Sequence, residues 1–188
     1  KKHLLDELIK LIERNLHRHG FPIQQPPTNR HLTRALEILR AIHLSPGWKE
    51  IFDLKQFFPH HNLDRFVYPR VFETSDMSCP LFNEEFFTPY IAVATFTSVE
   101  QAIRLANSGS YGLAAYFWTN SDEELGQLVA SVRAGRQWHN CDMRDSDPEI
   151  PIGGFGLSGI GRELGPDALN WYRQPIGLIS QQDRLPML

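Results

Sequence analysis

The sequence predicts an α/β fold: a parallel-rich sheet with flanking helices and a protruding C-terminal β segment. Three observations carry this. Residues 90–140 alternate short apolar, β-branched runs with capped helical stretches. Residues 151–165 hold six glycines in one short run, which calls for a shaped loop rather than a solvated one. Residues 175–180 then form an apolar β-like tail.

The elements follow in order. Over residues 3–16, Leu4, Leu5, Leu8, Ile9, Leu11, Ile12 and Leu16 recur at helical spacing, with Lys10, Glu13 and Arg14 opposite. His19-Gly20 stops that helix and Pro22 lies just beyond. A connector over residues 24–29 leads to a second helix over 32–44, whose apolar face is Leu32, Ala35, Leu36, Leu39, Ala41 and Ile42. Pro46-Gly47 ends it. Residues 48–64 show no clear period. The His60-His61 pair has no further ligand at a convincing spacing, and adjacent side chains diverge, so a solvated loop is expected there.

Residues 65–73 read as a strand with Pro69 at a bend or edge. Residues 90–96 suit a buried strand. A helix follows over 98–107, with Ser98 and Gln101 as a capping box, and Ser110-Tyr111-Gly112 reads as the turn after it. Residues 113–119 form a second buried strand. Residues 121–134 form a helix with a Ser121–Glu124 box and Gly135 as its stop. Residues 136–140 form a third strand. Such short strand–helix–strand units imply right-handed crossovers and a parallel sheet. Residues 168–172 begin as helix before the tail, and residues 181–188 read as a terminus that needs a partner to become ordered.

Composition narrows the classes. The chain has 188 residues, 41% hydrophobic and 22% charged, ordinary for a soluble globular domain. A net charge of −3 and the lack of a basic run argue against a nucleic-acid partner. No apolar run approaches membrane-spanning length, and no signal peptide opens the chain. The two cysteines, Cys79 and Cys141, make no disulfide framework and read as small buried hydrophobes in a reducing, cytoplasmic setting. The chain does not begin with Met, and the expectation is a piece of something longer or processed.

Within the glycine run, residues 154–159 satisfy G-x-G-x-x-G. That fingerprint belongs after a strand and at the head of a helix, inside a βαβ unit. Here a polar loop precedes it and little chain follows, so a glycine-rich packing loop is the better reading. An independent nucleotide-binding domain is the reading it displaces; that reading alone requires the chain by itself to bind NAD.

The longer run is specific. Pro151-Ile152-Gly153-Gly154 and Ser158-Gly159-Ile160-Gly161-Arg162-Glu163 resemble a signature of the aldehyde dehydrogenase superfamily. The signature reads Pro-Phe-Gly-Gly, one residue, Lys, one residue, Ser-Gly, one residue, Gly-Arg-Glu. Ile152 replaces its Phe and Gly156 its Lys. Glu84-Glu85-Phe86-Phe87-Thr88-Pro89 is similar to the family's Glu-Glu, one residue, Phe-Gly-Pro motif, with Thr88 for Gly. Ala106-Asn107 through Tyr111-Gly112-Leu113-Ala114-Ala115 resembles a further stretch, and Ala134-Gly135, Trp138 and Asn140 another. Order and spacing agree from about Phe66 onward; the first 64 residues would not be recognised alone.

The resemblance implies an aldehyde-dehydrogenase catalytic-domain-like fold, partial over residues 1–174, with an oligomerisation strand or tail over 175–188. It implies NAD or NADP as cofactor, with Glu85 accepting from its ribose hydroxyls and Phe87 packing beside the nicotinamide ring. It places the loop at Pro151 to Gly154 near the substrate channel. Arg162 is expected to brace that loop, and Asn140 to order the one before it. The implied partners are a nucleotide-binding half missing from this chain, or another domain, and further copies in a homo-dimer or tetramer. The family's nucleophilic cysteine would fall before Lys1, so no catalytic residue is assigned here. Two functions follow: the C-terminal portion of an NAD(P)-dependent aldehyde dehydrogenase, inactive alone, or a non-catalytic module of that family used for assembly.

Overall fold

The computed structural model describes residues 2–19, 28–44, 47–56, 67–74, 76–85, 87–141, 144 and 147–179. His60 and His61, most of the 24–29 connector and the tail beyond residue 179 lie outside them. The chain divides into two compact units, Lys1–Ser110 and Tyr111–Leu188.

In the first unit, two long helices precede the sheet: α1 (Lys2–His19) and α2 (Asn29–Leu44). The sheet has the order β1-β2-β3, from Trp48–Asp53, Arg70–Thr74 and Tyr90–Val93. β1 lies antiparallel to β2 with a bulge between Glu50 and Phe52, and β2 lies parallel to β3. β1 falls where the sequence shows no period, because its burial follows the bulge rather than strict alternation.

The central strand explains the packing. Successive side chains of a strand point to opposite faces, so a strand covered on both sides is apolar without alternation. Phe72 is fully buried on one face with Ile38 and Ile42 of α2, and Leu81, Tyr90 and Trp48 pack around them. Val71 takes the other face with Phe52 and Leu54, under Ile9 and Ile12 of α1. Trp48 meets Phe72 edge to face at 6.3 Å, and Tyr90 does the same at 6.1 Å. Burial pushes the Tyr90 phenol up to about 12. The short helix α3 (Pro80–Asn83) follows β2, with Pro80 at its first position.

One charged cluster is built into the sheet. Arg70 Nε lies 3.4 Å from Glu50 Oε1, and Nη2 lies 3.5 Å from Asp53 Oδ2. Nη2 also donates to the Tyr68 hydroxyl at 2.8 Å. One guanidinium thus serves two half-buried carboxylates. Burial raises the Glu50 carboxyl above its ordinary range; Arg70 offsets part of this, and the neighbouring Asp53 adds to it.

The regular helices begin as the sequence predicts. Ser98 caps α4 (Val99–Ala106) by accepting from the Gln101 amide at 3.2 Å. Gln101 reaches back one residue further than a standard box, accepting from the Thr97 amide at 2.8 Å. Ser121 caps α5 (Asp122–Ser131) in the same way, through the Glu124 amide at 3.2 Å.

In the second unit, β5 (Ala114–Phe117) and β6 (Arg136–His139) pair in parallel, with α5 as their connection. Of the parallel sheet expected over residues 90–140, the β5–β6 pairing is present; β3 instead pairs in parallel with β2, in a different small sheet. Two local expectations are corrected. Tyr111–Gly112 is not a turn but a short strand, β4, antiparallel to β7 (Phe155–Gly156). Gly135 does not stop α5, which ends at Ser131 with an extended Val132 as its cap; Gly135 has a packing role described below. Residues 168–172 form a 3-10 turn, and residues 173–179 run on without a strand partner among the described residues.

Among the described residues no helix is long and apolar enough to cross a membrane, and no group of three or more His, Cys, Asp or Glu could hold a metal.

The Glu50 site gives a pH test. A carboxyl whose folded pKa is raised contributes stability that is full below its unfolded pKa and is lost as pH rises through the folded value. Glu50→Gln removes that loss. The melting temperature of the variant relative to the parent should therefore be higher at pH 7 than at pH 4, measured by circular dichroism. A difference that reverses with pH would show that Arg70 outweighs burial, and one that stays constant would show that the two balance.

Candidate functional site

Two stretches carry the sequence-predicted residues, one in each unit. The first follows α3. The Glu84 amide donates to Pro80 O at 2.8 Å, and the Glu84 carboxylate pairs with Arg34 of α2. Glu84 is thus occupied locally. Glu85 is exposed and makes no hydrogen bond or ion pair among the described residues. Phe87 is 77% exposed, and its ring stands edge to face with His31 at 6.4 Å between centroids. The next hydroxyl, Thr88 Oγ1, is buried without a partner. Pro89 O accepts from the Arg70 amide at 3.3 Å and leads into β3. The segment thus offers a free carboxylate two positions from a free aromatic face. A carboxylate can accept from two hydroxyls at once, and an exposed ring can cover a flat group.

The second stretch is the glycine loop. Ile152 and Glu163 exchange two backbone hydrogen bonds, at 2.8 and 2.7 Å, and close it at the base. Inside, Arg162 Nη1 donates to Gly154 O at 2.9 Å and to Gly161 O at 2.7 Å, while its guanidinium lies 5.1 Å from the Phe155 centroid. Arg162 therefore braces carbonyls, one of the two roles its planar fork suited. Ser158 Oγ accepts from the Gly112 amide at 3.0 Å, tying the loop to β4.

The glycines divide by cause. Gly156, Gly161 and Gly165 have φ of 58°, 86° and 72°, in the left-handed region. Lysine, the family residue at position 156, would be strained at that angle. Gly135, Gly153 and Gly154 are needed for space instead. A Cβ on Gly135 would collide with the Gly153 carbonyl, and one on Gly154 with Ser158. This contact is what the sequence reading of Gly135 missed; a helix stop and a backbone crossing look the same in one dimension.

The loop before it is held by two side chains. Arg136, buried in β6, donates through Nη2 to Asp147 O at 3.1 Å and Ile150 O at 2.6 Å. Asn140 has φ of 52°; its Nδ2 donates to Thr119 O at 2.9 Å and its Oδ1 accepts from the Thr119 amide at 3.2 Å. A side-chain amide here replaces the next rung of the ladder after β5 and β6. Sequence reasoning missed Arg136; a charged residue opening a strand gives no signal of its carbonyl partners.

An open cavity of about 360 Å³ lies against the loop, lined by Ile152, Gly153, Gly154, Ser158, Gly159, Ile160, Gly161, Arg162, Glu163, Trp171 and Tyr172. Neither cysteine is placed for catalysis. Cys79 is fully buried and burial pushes its thiol up, away from the reactive thiolate. Cys141 is half-buried beside Asn140, rather than fully buried as the sequence suggested.

The comparisons accord with these motifs. The sequence profile of the aldehyde dehydrogenase family matches residues 33–175, and the chain belongs to that family. It is 43% identical to an aldehyde dehydrogenase of Aspergillus niger over 111 residues, 58% of this chain and 22% of that protein. An NAD-dependent aldehyde dehydrogenase structure from Sinorhizobium meliloti superposes with a TM-score of 0.71 at 27% identity, covering 91% of this chain and 35% of the other. An indole-3-acetaldehyde dehydrogenase of P. syringae, solved with NAD+ and IAA, gives 0.62 at 29% identity, over 77% and 28% of the two chains. Against such curated relatives the chain spans between 21% and 48% of their length.

Two variants test the loop. Arg162→Ala removes two charge-assisted bonds to carbonyls and should cost about 2–4 kcal/mol, read as a clear fall in melting temperature. An unchanged melting curve would remove the bracing role. Gly135→Ala forces the two backbones apart and should cost about 2 kcal/mol or more by the same measurement. Gly126→Ala, where a Cβ meets nothing, serves as the control and should be neutral or slightly stabilising.

Proposed function

We propose that the chain is the C-terminal portion of an NAD(P)-dependent aldehyde dehydrogenase of the cytoplasm. The observation that carries this is the family match over residues 33–175 in a chain that spans a fifth to a half of its relatives. The reaction is oxidation of an aldehyde to a carboxylic acid. A cysteine thiolate attacks the aldehyde carbon, and the resulting thioacyl intermediate is released by hydrolysis. Neither Cys79 nor Cys141 suits that role, so the nucleophile is assigned to sequence upstream of Lys1, and the chain is inactive by itself.

Bound NAD or NADP would supply the hydride acceptor. The residues present here suit part of such a group: Glu85 is a free acceptor for ribose hydroxyls and Phe87 a free face for the nicotinamide ring. Their task is binding and orientation. Residues 1–174 form part of the catalytic domain in this reading, and residues 175–188 the strand that joins copies in a dimer or tetramer.

A second reading, a non-catalytic module for oligomerisation or domain assembly, is favoured by Gly156 and Thr88, which replace the Lys and Gly of the family motifs, while the apolar tail serves either reading. Ile176, Leu178 and Ile179 are 92%, 87% and 99% exposed in an extended segment. An apolar extended run of this kind is suited to strand addition.

The experiment is to determine the intact mass of the native protein by mass spectrometry, and to assay it for aldehyde-dependent NADH or NADPH formation. A product far longer than 188 residues that turns over aldehyde is expected, with Glu85→Gln raising KM for the cofactor more than it lowers kcat. A native protein without turnover, whose oligomeric mass falls when residues 176–188 are deleted, would leave the assembly reading in its place.

A further inference from the structure

We propose that Arg70 is a register latch: by engaging Glu50 and Asp53 together, it selects the bulged pairing of β1 over two straight pairings open to the same residues. The inference does not depend on the dehydrogenase reading. Among the described residues β1 is the edge of its sheet, so its register rests on β2 alone. Glu50 stands opposite Phe72 and Asp53 opposite Arg70, while Ile51 and Phe52 both pack into the cluster around Val71. On β2, positions 70 and 72 share a face. Both acids therefore reach the Arg70 face, where Nε lies 3.4 Å from Glu50 Oε1 and Nη2 lies 3.5 Å from Asp53 Oδ2. The Tyr68 hydroxyl accepts from Nη2 at 2.8 Å, and the guanidinium carbon lies 5.0 Å from the Tyr68 ring centroid. The donor fork is thus held in place for the two acids.

The spacing of the acids makes the bulge necessary. Residues three apart on a regular strand point to opposite faces, so no straight β1 offers both acids to one arginine. Extending the Trp48–Glu50 pairing straight onward would set Phe52 opposite Arg70. Asp53 would then turn to the face of Val71, under Ile9 and Ile12. Extending the Phe52–Asp53 pairing straight back would set Ile51 opposite Phe72 and Glu50 opposite Glu73, like charge against like. Apolar patterning does not decide among these, because either straight pairing still gives one of Ile51 and Phe52 to each face. The charges do decide. Fixing a register is the best-attested use of buried ionic groups, which add little net stability. Glu50 Oε1 has no hydrogen-bond partner among the described residues, so Arg70 is the cation that serves it. The Arg70 amide also donates to Pro89 O at 3.3 Å, so the residue that sets β1 also holds the start of β3.

The test is nuclear magnetic resonance on the full 188-residue chain. Cross-strand contacts for Lys49–Glu73 and for Asp53–Arg70 coexist only across the bulge; each straight pairing keeps one and loses the other. The parent should show both. Glu50→Gln with Ile51→Glu moves one acid by a single position and leaves the net charge unchanged. The acids then share a face of a straight strand, so this variant should keep Asp53–Arg70 and lose Lys49–Glu73. Arg70→Met with Glu50→Gln and Asp53→Asn removes the latch and leaves none of its charges unpaired. Both contacts should weaken in it as the straight pairings become populated. Both contacts at parental strength in either variant overturn the proposal, as does loss of Asp53–Arg70 in the first. If one variant unfolds, the other decides on the same contacts. Unfolding of both also overturns it, because no straight pairing would then exist to be selected against.

Discussion

The second unit depends on backbone lying directly against backbone. Gly135 faces the Gly153 carbonyl, Gly112 faces the Arg133 carbonyl, and Gly154 faces Ser158, each too close for a side chain. Among the described residues its buried apolar set is correspondingly small: Phe117, Val132 and Ala134. Main chain brought this near to main chain leaves carbonyl oxygens that water cannot serve, and buried polar groups must be satisfied. Arginine supplies the answer twice. Arg162 serves Gly154 and Gly161, and Arg136 serves Asp147 and Ile150. The glycines create the close approach and the arginines make it tolerable.

The first unit solves a different problem. Its core is made of large side chains on both faces of β2, with Phe72 under α2 and Val71 under α1. A half-buried charge cluster sits in the sheet, where Arg70 draws together Glu50, Asp53 and Tyr68. That apolar frame carries the Glu85 and Phe87 segment between α3 and β3. Glu85 is left without an ion pair among the described residues, because Glu84 takes the local cation Arg34.

Much of this was legible in sequence where the signal is local. Ser98 and Ser121 cap helices because a short hydroxyl before an apolar period has few other uses. The strands at residues 90, 114 and 136 fall where the sequence places them. The first two, expected to be buried, are mostly half-buried to exposed, with Ile91 52% and Tyr116 42% exposed. What failed was non-local. β1 is recognisable only beside β2, since its bulge breaks the alternation at Glu50. Tyr111–Gly112 becomes a strand only because Phe155–Gly156 lies opposite. Gly135 looked like a helix stop because its true neighbour, Gly153, is distant in the chain. For the candidate site, the motif located Glu85, Phe87 and Arg162, but only Arg162 could be read for its mechanical role.

The Ile152–Glu163 bridge has a kinetic side. It joins positions near in sequence, and the Arg162 brace to Gly154 lies wholly inside it. Closing a short loop carries a small entropic cost and takes well under a microsecond. The loop's shape is therefore encoded within its own residues, whereas its attachments, Ser158 to Gly112 and Gly135 to Gly153, span much more chain. Contacts of that range form later in folding. The signature stretch is thus able to take its form as a local unit and then dock as a finished part, so selection can act on its internal residues largely apart from those that receive it.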